Sequence, residues 1–326
     1  MLKRFCTDYR CLCLSENEPQ AASFEIVTKK TRNGDGLWEK CCLCEQVINR
    51  TGVPKEEQEE YYNDTYIRTN SYSKGEILSA RTHFEARLNS IKERAEFLLP
   101  YLSKDSTVFE LGAATGELLY LLKDHIGFCY GNELNSLYAQ FIQDELGIDA
   151  TDRNYFQLTF EEKFDCILAL NTIDHIHDTF ETMEKIYKDL KTGGLFYVEV
   201  PNDQQALKQY LPLESREKFK TFMYQQAHYY SFTFDTLKKF IEQFGFEILD
   251  ERSRHDYTLL NYLNWHFTGK PQSVLREAKE ETDLCNGESA FEQDMNKLFG
   301  EFDKQFREII TKNKVGESIC ILARKK

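Results

Sequence analysis

The stretch that most constrains this chain is Val108-Phe109-Glu110-Leu111-Gly112-Ala113-Ala114-Thr115-Gly116. An apolar strand runs into a glycine-bearing turn. Leu118, Leu119, Leu121 and Leu122 then place an apolar face on a helix. Strand, glycine turn and helix open a nucleotide-binding βαβ unit, in which backbone N–H groups and the helix N-terminus face a ligand. The spacing is Glu-x-Gly-x-x-x-Gly, on Glu110, Gly112 and Gly116, rather than the dinucleotide fingerprint.

Matching parts follow in order. Ile126 to Glu133 reads as a second strand, and Glu133 lies 23 positions beyond Glu110. An acid at that place can accept hydrogen bonds from ribose hydroxyls. Asn135 to Leu146 is helical and Gly147 stops it. A short third strand near Ile148 precedes Asp152, in a loop 13 positions before Asp165. Phe164 to Leu170 is continuously apolar, as expected of a central parallel strand covered on both faces. It stops at Asn171, and Asn171 to Asp178 then occupies the carboxyl end of that strand, where ligands bind in open α/β sheets. Thr179 to Leu190 reads as a helix, Lys191 to Gly194 as a tight turn, and Leu195 to Val200 as a fifth strand closed by Pro201-Asn202. Gly245 to Leu249 and Glu317 to Arg324 supply two more strands.

From Val108 to Asn202 these motifs resemble the class I S-adenosylmethionine-dependent methyltransferases. The resemblance implies an α/β fold: a Rossmann-like, seven-stranded, mostly parallel sheet whose last strand pairs antiparallel at the sheet edge. It implies S-adenosyl-L-methionine as cofactor, with its amino-acid end against Glu110 and the turn of Gly112, Ala113 and Gly116. Glu133, Asp152 and Asn171 complete the implied cofactor set, with Asp152 at the family's position near the adenine amino group and Arg153 and Asn154 beside it as substitutes. His175 stands at the family's His position, either as a catalytic group or as one that orients its loop.

Residues 1–70 form a candidate small module. Cys6, Cys11, Cys13, Cys41, Cys42 and Cys44 fall in two groups around a strand, Phe24 to Val27, and a hairpin turn at Asn33 to Gly36. Such a layout suits a zinc ribbon with Cys11, Cys13, Cys41 and Cys44 as ligands. Cys41-x-x-Cys44 has the usual spacing, while Cys11-x-Cys13 is one residue short of it. Val53-Pro54 and then Tyr61-Tyr62-Asn63-Asp64-Thr65-Tyr66 follow. The arrangement resembles bacterial methyltransferases acting on sugars, which implies a sugar or nucleotide-sugar acceptor. Residues 71–326 are then the methyltransferase domain, with insertions at about 204–226 and 255–312. Its first helix, Ser79 to Leu99, ends at Pro100, and either covers the cofactor pocket or simply packs.

Beyond the first insertion comes Ala227-His228-Tyr229-Tyr230-Ser231. In sugar C-methyltransferases the comparable stretch reads Tyr-x-Glu-His. Here His228 stands at the His position, but Ala227 and Gln225 occupy those of the Glu and Tyr. A hydroxyl acceptor benefits from a base, and His suits that near neutral pH. His228 is the first candidate and His175 the second. In the second insertion Leu284, Phe291, Met295, Leu298, Phe302 and Phe306 mark a helical stripe, read as core packing on a helix within Gln272 to Thr311. This insertion is available to cover the substrate mouth, to make a homodimer contact, or both.

The formal net charge of −13 argues against nucleic acid as partner, because phosphate binding needs a basic face. Met1 to Ser15 lacks an apolar run of signal-peptide length, and no stretch is long enough to span a bilayer, so a soluble cytoplasmic protein is expected. Cys129, Cys166 and Cys320 in apolar strands read as buried reduced thiols. The expected function is methyl transfer to a small-molecule hydroxyl. Sugar C-methylation and quinone-type O-methylation are alternatives, and a cofactor-binding regulator without catalysis is one of another class.

Overall fold

The structure, a computed structural model, describes residues 11, 23–57, 60–62, 72–73, 76–77, 79–272, 279 and 283–326. Cys6, Cys13 and Asn63 to Tyr66 lie outside the described residues. The elements in chain order are β1 (Phe24–Thr31), β2 (Gly34–Cys41), β3 (Val47–Asn49), β4 (Tyr72–Ser73), β5 (Glu76–Ile77), α1 (Ala80–Leu98), β6 (Thr107–Leu111), α2 (Glu117–Leu122), β7 (Phe128–Asn132), α3 (Ser136–Leu146), β8 (Asp149–Thr151), β9 (Phe164–Leu170), α4 (Thr179–Asp189) and β10 (Leu190–Pro201). They continue with α5 (Ala206–Tyr210), α6 (Leu213–Met223), β11 (Tyr230–Ser231), α7 (Phe234–Glu242), β12 (Phe246–Arg254), α8 (Leu259–Thr268), α9 (Ala290–Lys312) and β13 (Ser318–Lys325).

The chain forms two compact units built from discontinuous segments: Met1–Thr51, Pro201–Thr236 and Arg252–Cys320 make one, and Gly52–Val200, Leu237–Glu251 and Ile321–Lys326 the other. In the first, β11 adds to the N-terminal strands, giving a four-stranded sheet of order β1-β2-β3-β11. Both β2 and β11 pair antiparallel with β3. Trp38 and Tyr224 are fully buried there with ring centroids 4.6 Å apart. A second apolar cluster gathers Leu207, Leu211 and Phe219 around Trp265 of α8.

In the second unit the sheet order is β12-β13-β10-β9-β6-β7-β8, with the run from β10 to β8 paired in parallel. This is the Rossmann-like methyltransferase sheet, with its last strand antiparallel. That strand, β13, is not at the edge: β12 lies outside it. Local chemistry sets the helix ends. Ser79 caps α1 by accepting from the Thr82 amide, and Asn135 caps α3 in the same way through Tyr138. Gly147 closes α3 in the left-handed conformation.

Two local expectations are corrected. Lys191 to Gly194 is not a tight turn before a strand but part of β10, which begins at Leu190. Leu190 pairs with Phe164 and Leu195 with Cys166, so the extra residues bulge out between them. Gly193, at φ 76°, permits that bulge without ending the ladder. Most of the stripe of the second insertion is not core, although Met295 and Phe306 are half-buried and the Phe306 ring packs against His255 and Tyr262. Its helix, α9, begins only at Ala290, where Ser289 and Glu292 form a capping box. Phe291 is 71% exposed, and Leu284, Leu298 and Phe302 are also exposed. Helical periodicity identifies an apolar face but not what covers it. Among the described residues, no helix is long and apolar enough to cross a membrane.

Candidate active site

Parallel pairing gathers the cofactor candidates. Because β9, β6, β7 and β8 are neighbours running the same way, their carboxyl ends share one edge of the sheet. Glu110 and the glycine turn end β6, Glu133 follows β7, Asp152 follows β8 and Asn171 follows β9. Asp152 is exposed in its loop.

The turn is held from inside. The Gly112 and Ala113 amides donate to the Asn132 carbonyl at 2.8 and 2.9 Å, and the Gly116 amide donates to the Ala113 carbonyl at 2.8 Å. The Ala114 amide donates to Glu133 Oε2 at 2.9 Å, and the Asn135 amide to Glu133 Oε1 at 2.9 Å. Four amides of the turn are therefore engaged within the protein, which corrects the expectation that they face a ligand. Gly112 has φ 72°, and a Cβ there would lie 2.7 Å from Thr172 Cγ2. Only glycine fits that conformation and that approach.

Glu110 is 4% exposed, and its Oε2 has no hydrogen-bond partner among the described residues. Burial, and then the nearby Glu117, push its carboxyl well above the usual range. Burial also pushes Glu133 up to about 7, against the pull of its two amide donors. Asn171 sits at φ 50°, and its amide donates to the Glu199 carbonyl at 2.6 Å. Glu199 itself is buried and receives a two-pronged ion pair from Arg94, at 2.8 and 2.7 Å.

The short helix Ile173–His175 carries His175, which is buried. Tyr62 Oη lies 2.9 Å from its Nδ1, and its Nε2 is 3.8 Å from Asp174 Oδ2. Burial lowers His175 to about 4 and raises Asp174 to about 7, so the imidazole is neutral at physiological pH. Three residues after His175, Asp178 ion-pairs with Lys55 and also meets His177 Nδ1 at 2.8 Å. Tyr62 belongs to the aromatic run noted in the sequence, but nothing in its spacing identified His175 as its partner.

His228 belongs to the first unit, where the Asn49 side-chain amide donates to its carbonyl at 2.8 Å. In the same unit Tyr224 donates to Asp203 Oδ1 at 2.8 Å, and Lys208 Nζ donates to the Tyr224 hydroxyl at 2.7 Å. Burial and Asp203 raise the Tyr224 hydroxyl well above its ordinary value, so it is no general base.

The thiols of Cys11, Cys41 and Cys44 all lie within 4.8 Å of one another, and all three residues are buried. Cys11 Sγ and Cys44 Sγ are 3.0 Å apart. The Leu43 amide points at Cys41 Sγ at 3.4 Å, and Glu45 turns the chain at φ 63°. The exposed Cys42 stands apart from this group.

A family model described as a methyltransferase domain matches residues 83–251, just over half of the chain. Among solved structures, a SAM-dependent methyltransferase from Archaeoglobus fulgidus aligns with 18% identity over 74% of this chain and 96% of its own, at a TM-score of 0.47. Magnesium protoporphyrin IX methyltransferase from Synechocystis PCC 6803, with bound SAH, aligns with 11% identity over 84% of this chain and 100% of its own, at a TM-score of 0.49. The comparison with curated proteins returned no match.

Proposed function

The chain belongs to the class I S-adenosylmethionine-dependent methyltransferases, and from that premise we propose that it methylates a hydroxyl of a sugar or glycan precursor. The observation that carries the hydroxyl chemistry is the Tyr62–His175 contact at the carboxyl end of β9. The neutral imidazole there can orient the Tyr62 phenol toward an acceptor hydroxyl and serve as a weak second base. The sugar class rests on the resemblance of the cysteine-bearing module and its aromatic run to bacterial sugar methyltransferases. C-methylation is disfavoured, because Tyr224, the tyrosine near the expected base position, is bound to Asp203 and Lys208.

S-adenosylmethionine supplies a methyl group on a sulfonium, and its transfer is an in-line displacement governed largely by positioning. The residues fit such a group. Glu110 Oε2 is a buried acceptor without a donor among the described residues, and a cofactor ammonium would provide one. The Ala113 and Gly116 carbonyls already accept from the Gly116 and Tyr120 amides, so the turn of Gly112, Ala113 and Gly116 meets an ammonium through the lone pairs its carbonyl oxygens retain. Glu133 retains lone pairs for ribose hydroxyls beyond its two amide bonds. Asp152 and Asn171 flank the remaining cofactor path. The acceptor hydroxyl loses its proton to a base as its oxygen takes the methyl group. His228 is proposed as that base, with His175 next because its low pKa makes it weak.

Cys11, Cys41 and Cys44 are proposed to hold zinc as a structural cross-link, with Cys13 as fourth ligand. A tetrahedral zinc–thiolate site sets sulfurs about 3.8 Å apart, a separation within the span of the three described thiols. The Leu43 amide aimed at Cys41 Sγ suits a thiolate acceptor. A homodimer through the exposed stripe of α9 belongs to the same reading, and Phe302→Glu should then give a monomer in analytical ultracentrifugation.

The deciding experiment has two stages. Calorimetry should show binding of S-adenosylmethionine and S-adenosylhomocysteine. A mass-resolved screen of nucleotide sugars should then show a product heavier by one methylene equivalent. Binding without any methylated sugar, alongside turnover of a quinol or another acceptor, would overturn the sugar assignment. In the active system, His228→Ala should cut turnover far more than cofactor affinity. Zinc should co-purify with the protein when no chelator is used.

A further inference from the structure

The polar side of α1 faces the glycine turn. His83 and Arg87 are four residues apart and so lie on one face of that helix. His83 Nδ1 is 3.0 Å from Thr115 Oγ1. Thr115 Oγ1 is in turn 2.7 Å from Glu117 Oε1, and Arg87 Nε is 3.4 Å from the same oxygen. Thr115 is fully buried, while His83 and Glu117 are nearly so. The two ends of the chain of contacts differ in chemistry. A carboxylate only accepts, so the Thr115 hydroxyl spends its single hydrogen on Glu117. Its oxygen must then accept at the other end, which places a proton on His83 Nδ1.

We propose that His83 is a positioning residue for the methyl donor: as a neutral Nδ1–H donor it locks Thr115, and with it the Gly112–Gly116 turn, against α1. This inference rests on the proposed use of the turn as the cofactor cradle. Burial and the neighbouring Arg87 keep the imidazole neutral, lowering it to about 3, which agrees with a single-donor tautomer. The ring also lies beside Tyr138 of α3 at a centroid distance of 5.3 Å, so packing limits its rotation. The turn is thereby fastened on both sides: Asn132 and Glu133 hold its amides from β7, and His83 holds its one hydroxyl from α1. Residue 114, between these anchors, sits at φ 48°, an unfavourable conformation for alanine that such anchoring maintains.

The test is calorimetric titration with S-adenosylhomocysteine, together with steady-state kinetics. His83→Ala should weaken binding about five- to tenfold, the size of one buried hydrogen bond, and raise the cofactor KM alike while leaving kcat within about twofold. His83→Asn, whose Nδ2–H takes the place of Nδ1–H, should recover most of the loss, whereas His83→Gln should not. Thr115→Val removes the hydroxyl without changing shape, so it provides the same test if His83→Ala fails to fold. Combined with His83→Asn, it should abolish the rescue. Wild-type affinity in both His83→Ala and Thr115→Val would overturn the inference while leaving the cofactor assignment intact. Failure of the wild-type protein to bind S-adenosylhomocysteine would instead strike the function itself.

Discussion

Asp203 in the first unit and Glu110 in the second are both buried carboxyl groups, and they are treated in opposite ways. Asp203 accepts from the Tyr224 hydroxyl, the Ser231 hydroxyl and Lys208 Nζ, at 2.8, 2.8 and 2.6 Å. Glu110 has an oxygen with no partner among the described residues, and Glu117 beside it adds repulsion. The first arrangement fastens α5, β11 and the end of α6 together around one charge. The second stores a cost in the protein, which a bound donor can relieve. A satisfied buried acid of this kind serves the architecture, whereas the unsatisfied Glu110 at the carboxyl edge of the parallel sheet is the one proposed to meet a ligand.

The contrast breaks most visibly at Asp203. Asp203→Ala leaves Lys208 and Tyr224 without their acceptor and should cost about 3–5 kcal/mol in chemical denaturation. A loss below about 1 kcal/mol would show that the network is ornamental. Gly112→Val should weaken S-adenosylhomocysteine binding by about 100-fold, since the side chain meets Thr172 and the residue is strained at positive φ. Unchanged affinity would remove the turn from the cofactor site.

His175 sharpens the comparison through pH. Its folded-state value of about 4 lies below the ordinary 6.5, so the neutral form is favoured by folding. Stability is therefore complete above about pH 6.5 and falls as pH drops toward 4, by up to about 3 kcal/mol from this residue. Denaturation of His175→Gln over the same range should show a visibly shallower acid limb, and an identical limb would contradict the burial account. Glu110 runs the other way. Its folded-state value is raised, so the ligand-free protein should lose stability as pH rises above about 4.5. Glu110→Gln should recover about 1 kcal/mol at pH 8 and nothing at pH 5, while binding cofactor more weakly.

The sheet and the residues at its carboxyl edge were legible because they rest on local patterns. An apolar run ending at Glu110-x-Gly112, an acid at the end of the next strand, and a fully apolar β9 each carry their own signal over a few residues. Parallel pairing then brings their ends together without further information. The helix α1 was legible as well, but only by its apolar face. Phe84, Ile91, Ala95 and Leu98 follow the helical period and are buried, whereas His83 and Arg87 look like any solvated pair until the turn is placed beside them.

What the chain alone determined is the order of strands and helices, the glycine demanded at position 112 and the acids available at the sheet edge. These follow from backbone sterics and hydrophobic period, which act between near neighbours. What only the tertiary structure decided is which polar groups are already spoken for. The turn amides are engaged by Asn132 and Glu133, Tyr224 is bound by Asp203, His175 is met by Tyr62, and Phe291, Leu298 and Phe302 of α9 face outward. Each of these depends on a partner distant in sequence or on a burial that no local pattern encodes. The physical reason is that hydrogen-bond satisfaction is a property of the assembled environment, whereas the period of apolar residues is a property of the segment.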